Sequence, residues 1–255
     1  MTELELDTQP TQVTFLGLPF ATLNLTRTVN VVARASTDAV WRYIVTPNAA
    51  HLSRLRGSNP ELTRIYQSAW LCLLDSKVIG LSARVLRLCP PPVIPGSDLV
   101  EALFDTAIGH ATTICVVGGA EETVACLRKR FNVGVVSHVN PSMGFWRDPS
   151  EVERTAAFII ESQADFTFLS VGSPQAETLA ARVAAMGSGR GVAICGGSAI
   201  DFIAGRQRRA PRLLRRMALE WAYRLYQEPR RLARRYAIES PLGLLLVLRH
   251  AFQWR

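Results

Sequence analysis

Several residues that could transfer a proton or bind phosphate follow short apolar segments of this chain. Asp75 comes directly after the segment 70–74, and its carboxylate could take a proton from an attacking hydroxyl group. Glycines that precede a helix let the backbone approach an anion closely, and the helix N-terminus favours negative charge. The candidates, each near the end of an apolar segment, are Thr46, Asn48, Asp75, Gly118, Gly119, Gly172, Gln175, Gly196, Gly197 and Asp201.

Each of these patterns also has an ordinary structural explanation. A Gly-Gly pair after a strand is often a tight turn, and Thr46-Pro47-Asn48 could be a plain turn. A lone aspartate at a strand end is as often a helix cap as a catalytic group. The argument for a site is that five strand ends carry such residues. Because ligands of open α/β sheets bind beyond the carboxyl ends of the strands, these residues would surround one cleft.

The elements that would position these residues are short strands that alternate with longer amphipathic segments. Several of the strands are almost wholly apolar, which is typical of strands covered on both faces. The alternation predicts an α/β fold with a mostly parallel sheet and helices on both faces. Ser97 or Asp98 is placed to cap one helix, and Ser150 with Glu153 is expected to form a capping box for another. The predicted strands span 13–18, 43–45, 70–74, 113–117, 134–137, 166–171 and 191–195, and the helices span 97–108, 121–131, 150–162 and 174–186.

The C-terminal part of the chain differs in charge from the rest. Residues 206–255 hold 13 arginines and three acidic residues, whereas the whole chain has a net charge of +8. We therefore predict a core over 1–205 and a basic helical appendage over 206–255, with helices at 212–227 and 230–238 and a break near Pro241. Arginine mixed with Trp, Tyr and Leu is typical of an interfacial amphipathic helix. A solvated basic face and a nucleic-acid surface are the alternatives.

Missing motifs argue against several classes of protein. The sequence contains neither GxGxxG nor GxxxxGK[ST], which argues against ordinary dehydrogenases and nucleoside triphosphatases. It has no Asp-x-Asp motif, and its histidines have no ligand-like spacing, so we predict no metal and no cofactor. The five cysteines form no CxxC pair and are interpreted as reduced thiols of a cytoplasmic protein. We expect no signal peptide in the polar start 1–12 and no segment long enough to span a bilayer.

The motifs of this sequence resemble those of the bacterial WecG/TagA/CpsF glycosyltransferases, from about residue 15 to residue 236. The most specific are Arg-Ala-Pro at 209–211, Leu-Glu-Trp-x-x-Arg-Leu at 219–225 and Glu-Pro-Arg-Arg-Leu at 228–232. One motif alone would be weak evidence, but their order and spacing agree. The other matching stretches are Thr46-Pro47-Asn48-Ala49, Asn59-Pro60-Glu61, the Asp75 turn, Pro95-Gly96-Ser97-Asp98, Gly118-Gly119, Gly172-Ser173-Pro174, and Gly196-Gly197 with Asp201-Phe202 and Gly205.

The resemblance implies a Rossmann-like core and an inverting transferase that uses a nucleotide diphospho-sugar, typically a UDP-sugar. It also implies an acceptor sugar on undecaprenyl diphosphate, in the synthesis of a cell-surface polysaccharide or exopolysaccharide. The Arg-rich tail would fold over the active site at the membrane. We therefore expect a peripheral protein on the inner face of the cytoplasmic membrane that binds an anionic lipid surface and no nucleic acid. Homo-oligomerisation is left open.

The resemblance assigns roles to particular residues. Asp75 takes the place of the family's general base, and Thr46 and Asn48 take the places of residues that line its pocket. Gly96 and Asp98, in the Pro-Gly-Ser-Asp run, are predicted to bind substrate. Family arginines proposed to hold the acceptor diphosphate correspond to Arg224, Arg231 and Arg234.

Three departures from the family pattern lie near the predicted sugar pocket. The usual Asp-Gly is Asp75-Ser76, the common arginine before the Pro95 run is missing, and the usual Lys-Gln is Gln175-Ala176. They leave the donor open between an N-acetylmannosamine-type sugar, including its uronic acid, and a plain hexose. They also motivate an alternative from another class, a membrane- or nucleic-acid-associated binding module with a vestigial cleft. An epimerase would need a nicotinamide fingerprint, which this sequence lacks.

Overall fold

One parallel sheet lies at the centre of the molecule. The computed structural model describes residues 10–56 and 59–253. Its strands are β1 (Gln12–Phe15), β2 (Leu18–Ala21), β3 (Arg42–Val45), β4 (Leu71–Cys72), β5 (Thr113–Val117), β6 (Val135–Val139), β7 (Phe166–Leu169) and β8 (Val192–Cys195). The sheet order is β4-β3-β8-β7-β5-β6, and neighbouring strands run parallel. The carboxyl ends of these strands therefore meet at one edge, and the predicted α/β, Rossmann-like class is confirmed.

Helices cover both faces of this sheet, as the apolar strands predicted. Side chains alternate along a strand, so Tyr43 and Val45 join one buried cluster while Ile44 joins the other. The helices are α1 (Leu25–Ala35), α2 (Ala49–Arg56), α3 (Pro60–Gln67), α4 (Lys77–Val85), α5 (Gly96–Thr106), α6 (Glu121–Phe131), α7 (Pro149–Ser162), α8 (Gln175–Met186), α9 (Ala199–Ile203), α10 (Arg212–Arg216), α11 (Glu220–Gln227), α12 (Pro229–Arg234) and α13 (Ser240–Gln253). The first cluster is covered by α2, α3, α4, α7 and α8, and the second is covered by α1, α5, α6 and α9.

The single strand predicted over 13–18 is wrong, because the chain reverses within it. Leu16 and Gly17 have φ values of 52° and 83° and form a two-residue turn between β1 and β2. Positive φ at both central residues is what a tight hairpin turn requires. The strand predicted over 70–74 is shorter in the structure, and Leu74 instead bridges to Val93.

The predicted caps of α5 and α7 are also wrong. Helix α7 starts at Pro149, and because proline favours the first helical position, Asp148 becomes the capping residue and accepts from the Ser150 backbone N–H. Glu153 binds Arg182 instead of closing a capping box. Pro95 precedes α5, and no side chain caps this helix.

The basic tail consists of short helices that end in one longer helix. Ala218, with a φ of 59°, separates α10 from α11, so the helix predicted over 212–227 is broken. A π-helical turn at Arg235–Glu239 connects α12 to α13, and α13 packs against α2 and α4. The break predicted near Pro241 is absent within the described residues, since α13 begins at Ser240 and continues to Gln253. The division of the chain after residue 205 stays a prediction.

Among residues 10–56 and 59–253, no helix combines the length and the apolar content needed to cross a bilayer. Residues 1–9 of the predicted polar start lie outside the described residues.

Candidate functional site

A cavity of about 330 Å³ lies beyond the carboxyl ends of β3, β4 and β8. Its floor comes from the loops that follow these strands, and its roof comes from the tail. The residues that line it are Asn48, Ala49, Asp75, Ser76, Lys77, Val78, Pro95, Ser97, Gly196, Ser198, Ala199, Phe202, Arg215, Ala218, Glu220, Trp221, Arg224, Arg235, Tyr236, Ser240, Pro241 and Leu244. We call this space the tail-covered cavity.

Asp75 lies in the wall of the tail-covered cavity, on the loop between β4 and α4. Its backbone N–H donates to the Pro47 carbonyl at 3.0 Å, which fixes the loop against the end of β3. Burial raises the pKa of Asp75 from 3.8 to about 7, against the opposing effect of the cations Arg224 and Arg235. Glu220 adds to the rise through charge repulsion. A carboxyl group with a pKa near 7 can accept a proton at neutral pH and hold it.

The residue after Asp75 explains one departure of the sequence from the family pattern. The Ser76 side chain accepts a hydrogen bond from the Ile79 backbone N–H and caps α4. Ser76 therefore supplies the cap of α4 in the turn that carries Asp75. Lys77 follows at the first position of α4, lines the cavity and donates to the Arg215 carbonyl at 3.0 Å.

Thr46 and Asn48 hold the floor of the cavity together. The buried Thr46 hydroxyl donates to the Cys195 carbonyl at 3.1 Å and so ties β3 to β8 beyond their ends. The Asn48 side-chain oxygen accepts from the backbone N–H groups of Ala50 and His51, which caps α2. Asn48 lines the cavity, whereas Thr46 lies behind it.

Gly96 is needed where α5 meets the Thr46 side chain. A Cβ atom at Gly96 would lie 3.0 Å from the Thr46 Oγ1 atom. Glycine therefore allows the first turn of α5 to approach the end of β3, and it brings Pro95 and Ser97 to the cavity wall.

The predicted glycine turns after β5, β7 and β8 lie at the same sheet edge. Gly118, Gly119 and Gly172 all have positive φ values, of 86°, 78° and 81°. A Cβ atom at Gly118 would lie 3.0 Å from the Ser170 backbone carbon, so this turn excludes any larger residue. Of the glycines predicted from strand ends, Gly196 lines the tail-covered cavity, and Gly197 follows it with a φ of 54°.

The polar partners of these turns belong to the next helices. The Asp201 carboxylate accepts from the Thr123 hydroxyl at 3.1 Å, and a Cβ atom at Gly119 would lie 3.9 Å from it. A Cβ atom at Gly172 would likewise lie 3.9 Å from the Gln175 side-chain oxygen. None of these residues lines the tail-covered cavity.

Asp98 is engaged with arginines of the tail. Its carboxylate accepts a hydrogen bond from Arg209, and Arg215 lies 3.6 Å away. Ser97 and Glu101 accept from the same Arg209 guanidinium. The structure therefore gives the Asp98 carboxylate a protein partner outside the cavity lining.

Of the three tail arginines predicted to bind diphosphate, one lines the cavity. Arg224 donates to the Ser198 hydroxyl at 2.6 Å, and its guanidinium lies 5.4 Å from the centre of the Phe202 ring. Arg231 is 58 % exposed and pairs with Glu228. Arg234 is exposed and lies outside the lining residues.

Sequence reasoning missed two further arginines of the cavity, Arg215 and Arg235. Burial lowers the pKa of Arg235, and the neighbouring cation Arg224 adds to this effect. Lys77 also lines the cavity, so four cationic residues meet the two carboxylates of Asp75 and Glu220 there. Such an excess of cations favours an anionic ligand. The signal in the sequence was the density of arginine in the tail, which does not reveal which arginines face inward.

Trp221 and Tyr236 form the aromatic part of the roof. Their ring centroids lie 5.8 Å apart, so α11 and the π-helical turn meet through this pair. Both residues line the cavity, and sequence reasoning had assigned their type to a membrane interface only.

A buried polar cluster lies beside the cavity and also escaped sequence reasoning. The Tyr66 hydroxyl donates to Glu177 at 2.7 Å, and burial raises the pKa of Glu177. Arg54 donates to the Ser173 carbonyl at 2.8 Å and lies 3.5 Å from Glu239 of the tail. The cluster therefore connects the turn after β7 to the π-helical turn.

His51 lies on α2 close to this cluster. Burial holds its pKa well below 6.5, and the cations Arg235 and Arg54 lower it further. The imidazole is therefore neutral at physiological pH, and it adds no charge to a region that already holds two guanidinium groups.

A comparison with protein families agrees with this arrangement. The model of the "Glycosyl transferase WecG/TagA/CpsF family" matches residues 13–255, which is nearly the whole chain. The match includes the strand-end residues of the floor and the whole tail that covers them.

Proposed function

This chain belongs to the WecG/TagA/CpsF family of glycosyltransferases, and we propose that it transfers a sugar from a UDP-sugar to a polyprenyl-diphosphate-linked acceptor. Members of the family act in the synthesis of cell-surface polysaccharides. The observation that carries the proposal is Asp75, a carboxyl group with a pKa of about 7 in a cation-lined cavity. Undecaprenyl diphosphate is the lipid that we expect to bear the acceptor sugar.

The proposed reaction is one displacement at the anomeric carbon of the donor. Asp75 accepts the proton of the acceptor hydroxyl while the oxygen of that hydroxyl forms a bond to the anomeric carbon. The bond between that carbon and the diphosphate breaks on the opposite side, so the configuration inverts and UDP leaves. The pKa of about 7 supports this role because a base works best when its pKa lies near the operating pH.

Cationic side chains would stabilise the charge that develops on the leaving diphosphate. Lys77, Arg215, Arg224 and Arg235 line the same cavity as Asp75, and fixed charges in a site with little water stabilise an anion strongly. The positive-φ turns at Gly118 and Gly119 support diphosphate binding beside them, because a backbone without Cβ atoms can approach phosphate oxygens. We propose no metal and no cofactor for this step.

The donor sugar is proposed as N-acetylmannosamine-type or a hexose. The family's glutamine position holds Ala176, which is 2 % exposed, so its methyl group belongs to the core. The Gln175 side chain instead lies at the Gly172 turn. This change alters the polar groups that a donor sugar would meet, and it leaves the base and the cations in place.

The acceptor lipid requires contact with a membrane, and the tail offers an apolar surface for it. Helix α13 exposes large apolar side chains on the side away from α2, and Arg249 lies on the same helix. Apolar side chains beside arginine are typical of helices that lie in the interface of an anionic bilayer. We therefore propose peripheral attachment to the inner face of the cytoplasmic membrane. The exposed side chains are Leu242, Leu245, Leu248 and Phe252.

The test is a donor screen by mass spectrometry. The full chain in detergent micelles is offered a panel of UDP-sugars, including N-acetylmannosamine, its uronic acid and common hexoses, with a short polyprenyl-diphosphate glycan. A mass gain of one sugar unit on the acceptor is expected with one donor. Turnover of the Asp75→Asn protein should fall by a factor of about 10² to 10⁴, the usual contribution of a general base.

Two other outcomes have distinct meanings. An Asp75→Asn protein with near-normal turnover would remove Asp75 as the base but leave the transferase. If the folded wild type transfers no sugar, UDP binding by calorimetry decides between explanations. Bound UDP indicates an unsuitable acceptor, whereas no binding together with tight binding to lipid or nucleic acid favours a binding module with a vestigial cleft.

A further inference from the structure

Arg209 is the most highly connected arginine of the tail. Its side chain is 13 % exposed and donates to Ser97 at 2.7 Å, to Asp98 and to Glu101. Its Nε atom also lies 3.6 Å from a carboxylate oxygen of Glu220. Three carboxylates and one hydroxyl therefore surround a single guanidinium group. We call these five residues the Arg209 cluster.

The Arg209 cluster joins two opposite walls of the tail-covered cavity. Ser97, in the first turn of α5, lines the cavity on one side. Glu220 starts α11 on the other side, where Trp221 and Arg224 follow in the roof. Because Arg209 contacts Ser97 in the wall and Glu220 in the roof, it fixes the distance between the wall and the roof.

A second set of contacts supports the same junction. Arg215 lies 3.6 Å from both Asp98 and Glu101, and Lys77 at the start of α4 donates to its carbonyl. The segment between Arg209 and Glu220 is thus attached to the first turns of two helices. Asp98, in the first turn of α5, also interacts favourably with the helix dipole.

Burial distinguishes this cluster from the ordinary ion pairs on the surface. The side chains of Arg182 and Glu153, for comparison, are 44 % and 47 % exposed. Exposed pairs of that kind contribute little, whereas a mostly buried guanidinium that loses its carboxylates is strongly unfavourable. Removal of the acidic partners would therefore drive Arg209 into water, and α11 would move with it.

We propose that the Arg209 cluster is a latch that positions the roof of the cavity, and that Asp98 acts through Arg209 rather than on substrate. Asp98 and Arg209 are then positioning residues, and the group that they position is Arg224. The predicted effect on the order of α11 in the roof does not depend on the proposed function. The expected effect on turnover rests on that function.

The test is hydrogen exchange of the full-length protein, followed by mass spectrometry of peptides from α11. Loss of a hydrogen bond to a charged group corresponds to about a tenfold or larger change in a local equilibrium, so exchange in Arg209→Gln and Asp98→Asn should be about tenfold faster. Arg206→Gln is the matched control, because Arg206 is 46 % exposed, lies 3.7 Å from Glu122 and belongs to the same segment. Exchange in α11 of this control should equal that of the wild type.

A nucleotide titration distinguishes the latch from direct binding. Under the latch, Asp98→Asn and Arg209→Gln lower the kcat with acceptor by the same factor of about ten, and any loss of UDP affinity measured by calorimetry is equal in the two variants, because both release Arg224. Unchanged exchange in α11 overturns the latch. Unchanged exchange together with weaker UDP binding assigns Asp98 to the substrate instead.

A double variant tests whether the residues act as one unit. The Arg209→Gln and Ser97→Ala changes combined should speed exchange no more than Arg209→Gln alone, because both remove the hydrogen bond between Arg209 and Ser97. If Arg209→Gln does not fold, Asp98→Asn and Glu101→Gln carry the test. Faster exchange in the variants of a protein whose wild type neither transfers sugar nor binds UDP would keep the latch and reject the proposed function.

Discussion

Replacing Asp75 with asparagine should stabilise the protein while it abolishes efficient turnover. Asparagine has nearly the same shape as aspartate but carries no ionisable group. In the folded protein, burial disfavours the charged carboxylate, and the pKa of Asp75 rises from 3.8 to about 7. The folded state therefore binds the Asp75 proton more tightly than the unfolded chain does.

The sign and size of the effect follow from this difference. Between about pH 4 and pH 7 the folded state holds more protons, so the contribution of Asp75 to the free energy of unfolding falls as pH rises. Above pH 7 the contribution is constant. At about 1.4 kcal/mol per pKa unit, the rise to about 7 sets an upper bound of about 4 kcal/mol. Relaxation of the tail and water entry reduce this, so we expect about 2–4 kcal/mol.

The assay is urea unfolding of the wild type and of Asp75→Asn at pH 8 and at pH 5. The variant should be more stable by about 2–4 kcal/mol at pH 8 and by about 1.5 kcal/mol at pH 5. The matched control is Asp105→Asn, the same change of atoms on an exposed helix surface, which should shift the free energy of unfolding by less than about 0.5 kcal/mol. Equal stability of the wild type and Asp75→Asn at pH 8 would refute the claim that Asp75 is desolvated.

Three further outcomes are expected. The kcat/KM of the wild type should rise about tenfold per pH unit up to about pH 7 and then become constant, because Asp75 must be ionised to accept a proton. A flat profile from pH 5 to pH 8 would contradict this prediction. Tyr66→Phe should lower the free energy of unfolding by about 1–3 kcal/mol, because buried Glu177 loses its donor; an unchanged urea midpoint contradicts this. Gly243→Ala should release α13 from α2, because a Cβ atom at position 243 would lie 2.1 Å from the Ala49 carbonyl oxygen. The prediction is contradicted if a protease cleaves α13 of the variant no faster than α13 of the wild type.

The sheet could be predicted because its strands carry a strong local signal. Strands buried on both faces are continuously apolar, as Ile114 to Val117 show, and such segments stand out from their surroundings. The hairpin of β1 and β2 was missed because the chain turns at Leu16 and Gly17 within an apolar run, and a single glycine is a weak signal of a turn. Its reversal depends on two backbone angles rather than on composition.

The floor of the site could be predicted residue by residue, whereas for the roof only the tail as a whole and Arg224 could be, for a geometric reason. Parallel strands bring their carboxyl ends to one edge, so Asn48, Asp75 and Gly196 had to lie together once the sheet was assigned. The tail has no comparable rule. Ala218 interrupts the helical periodicity of the tail, and the π-helical turn at Arg235–Glu239 changes the periodicity a second time. The sequence pattern therefore could not show that Arg235 lines the cavity while Arg234 does not.

Long-range ion pairs limited the prediction in a different way. Asp98 was assigned to substrate because it lies in a family motif at a helix start, but its partner Arg209 is 111 residues away in the sequence. No local pattern reports such a pairing. The same holds for Arg54 and Glu239, which connect α2 to the tail.

The position of the tail bears directly on the chemistry of Asp75. Arg224 and Arg235 lower its pKa, Glu220 raises it, and all three belong to the tail. Burial exceeds these effects, so a tail that moved away would expose the carboxyl to water and return its pKa towards 3.8. Such a carboxylate is a weak base. Asp75 therefore becomes a strong enough base only under a closed roof, and whatever holds that roof, the Arg209 cluster included, also controls the proton transfer.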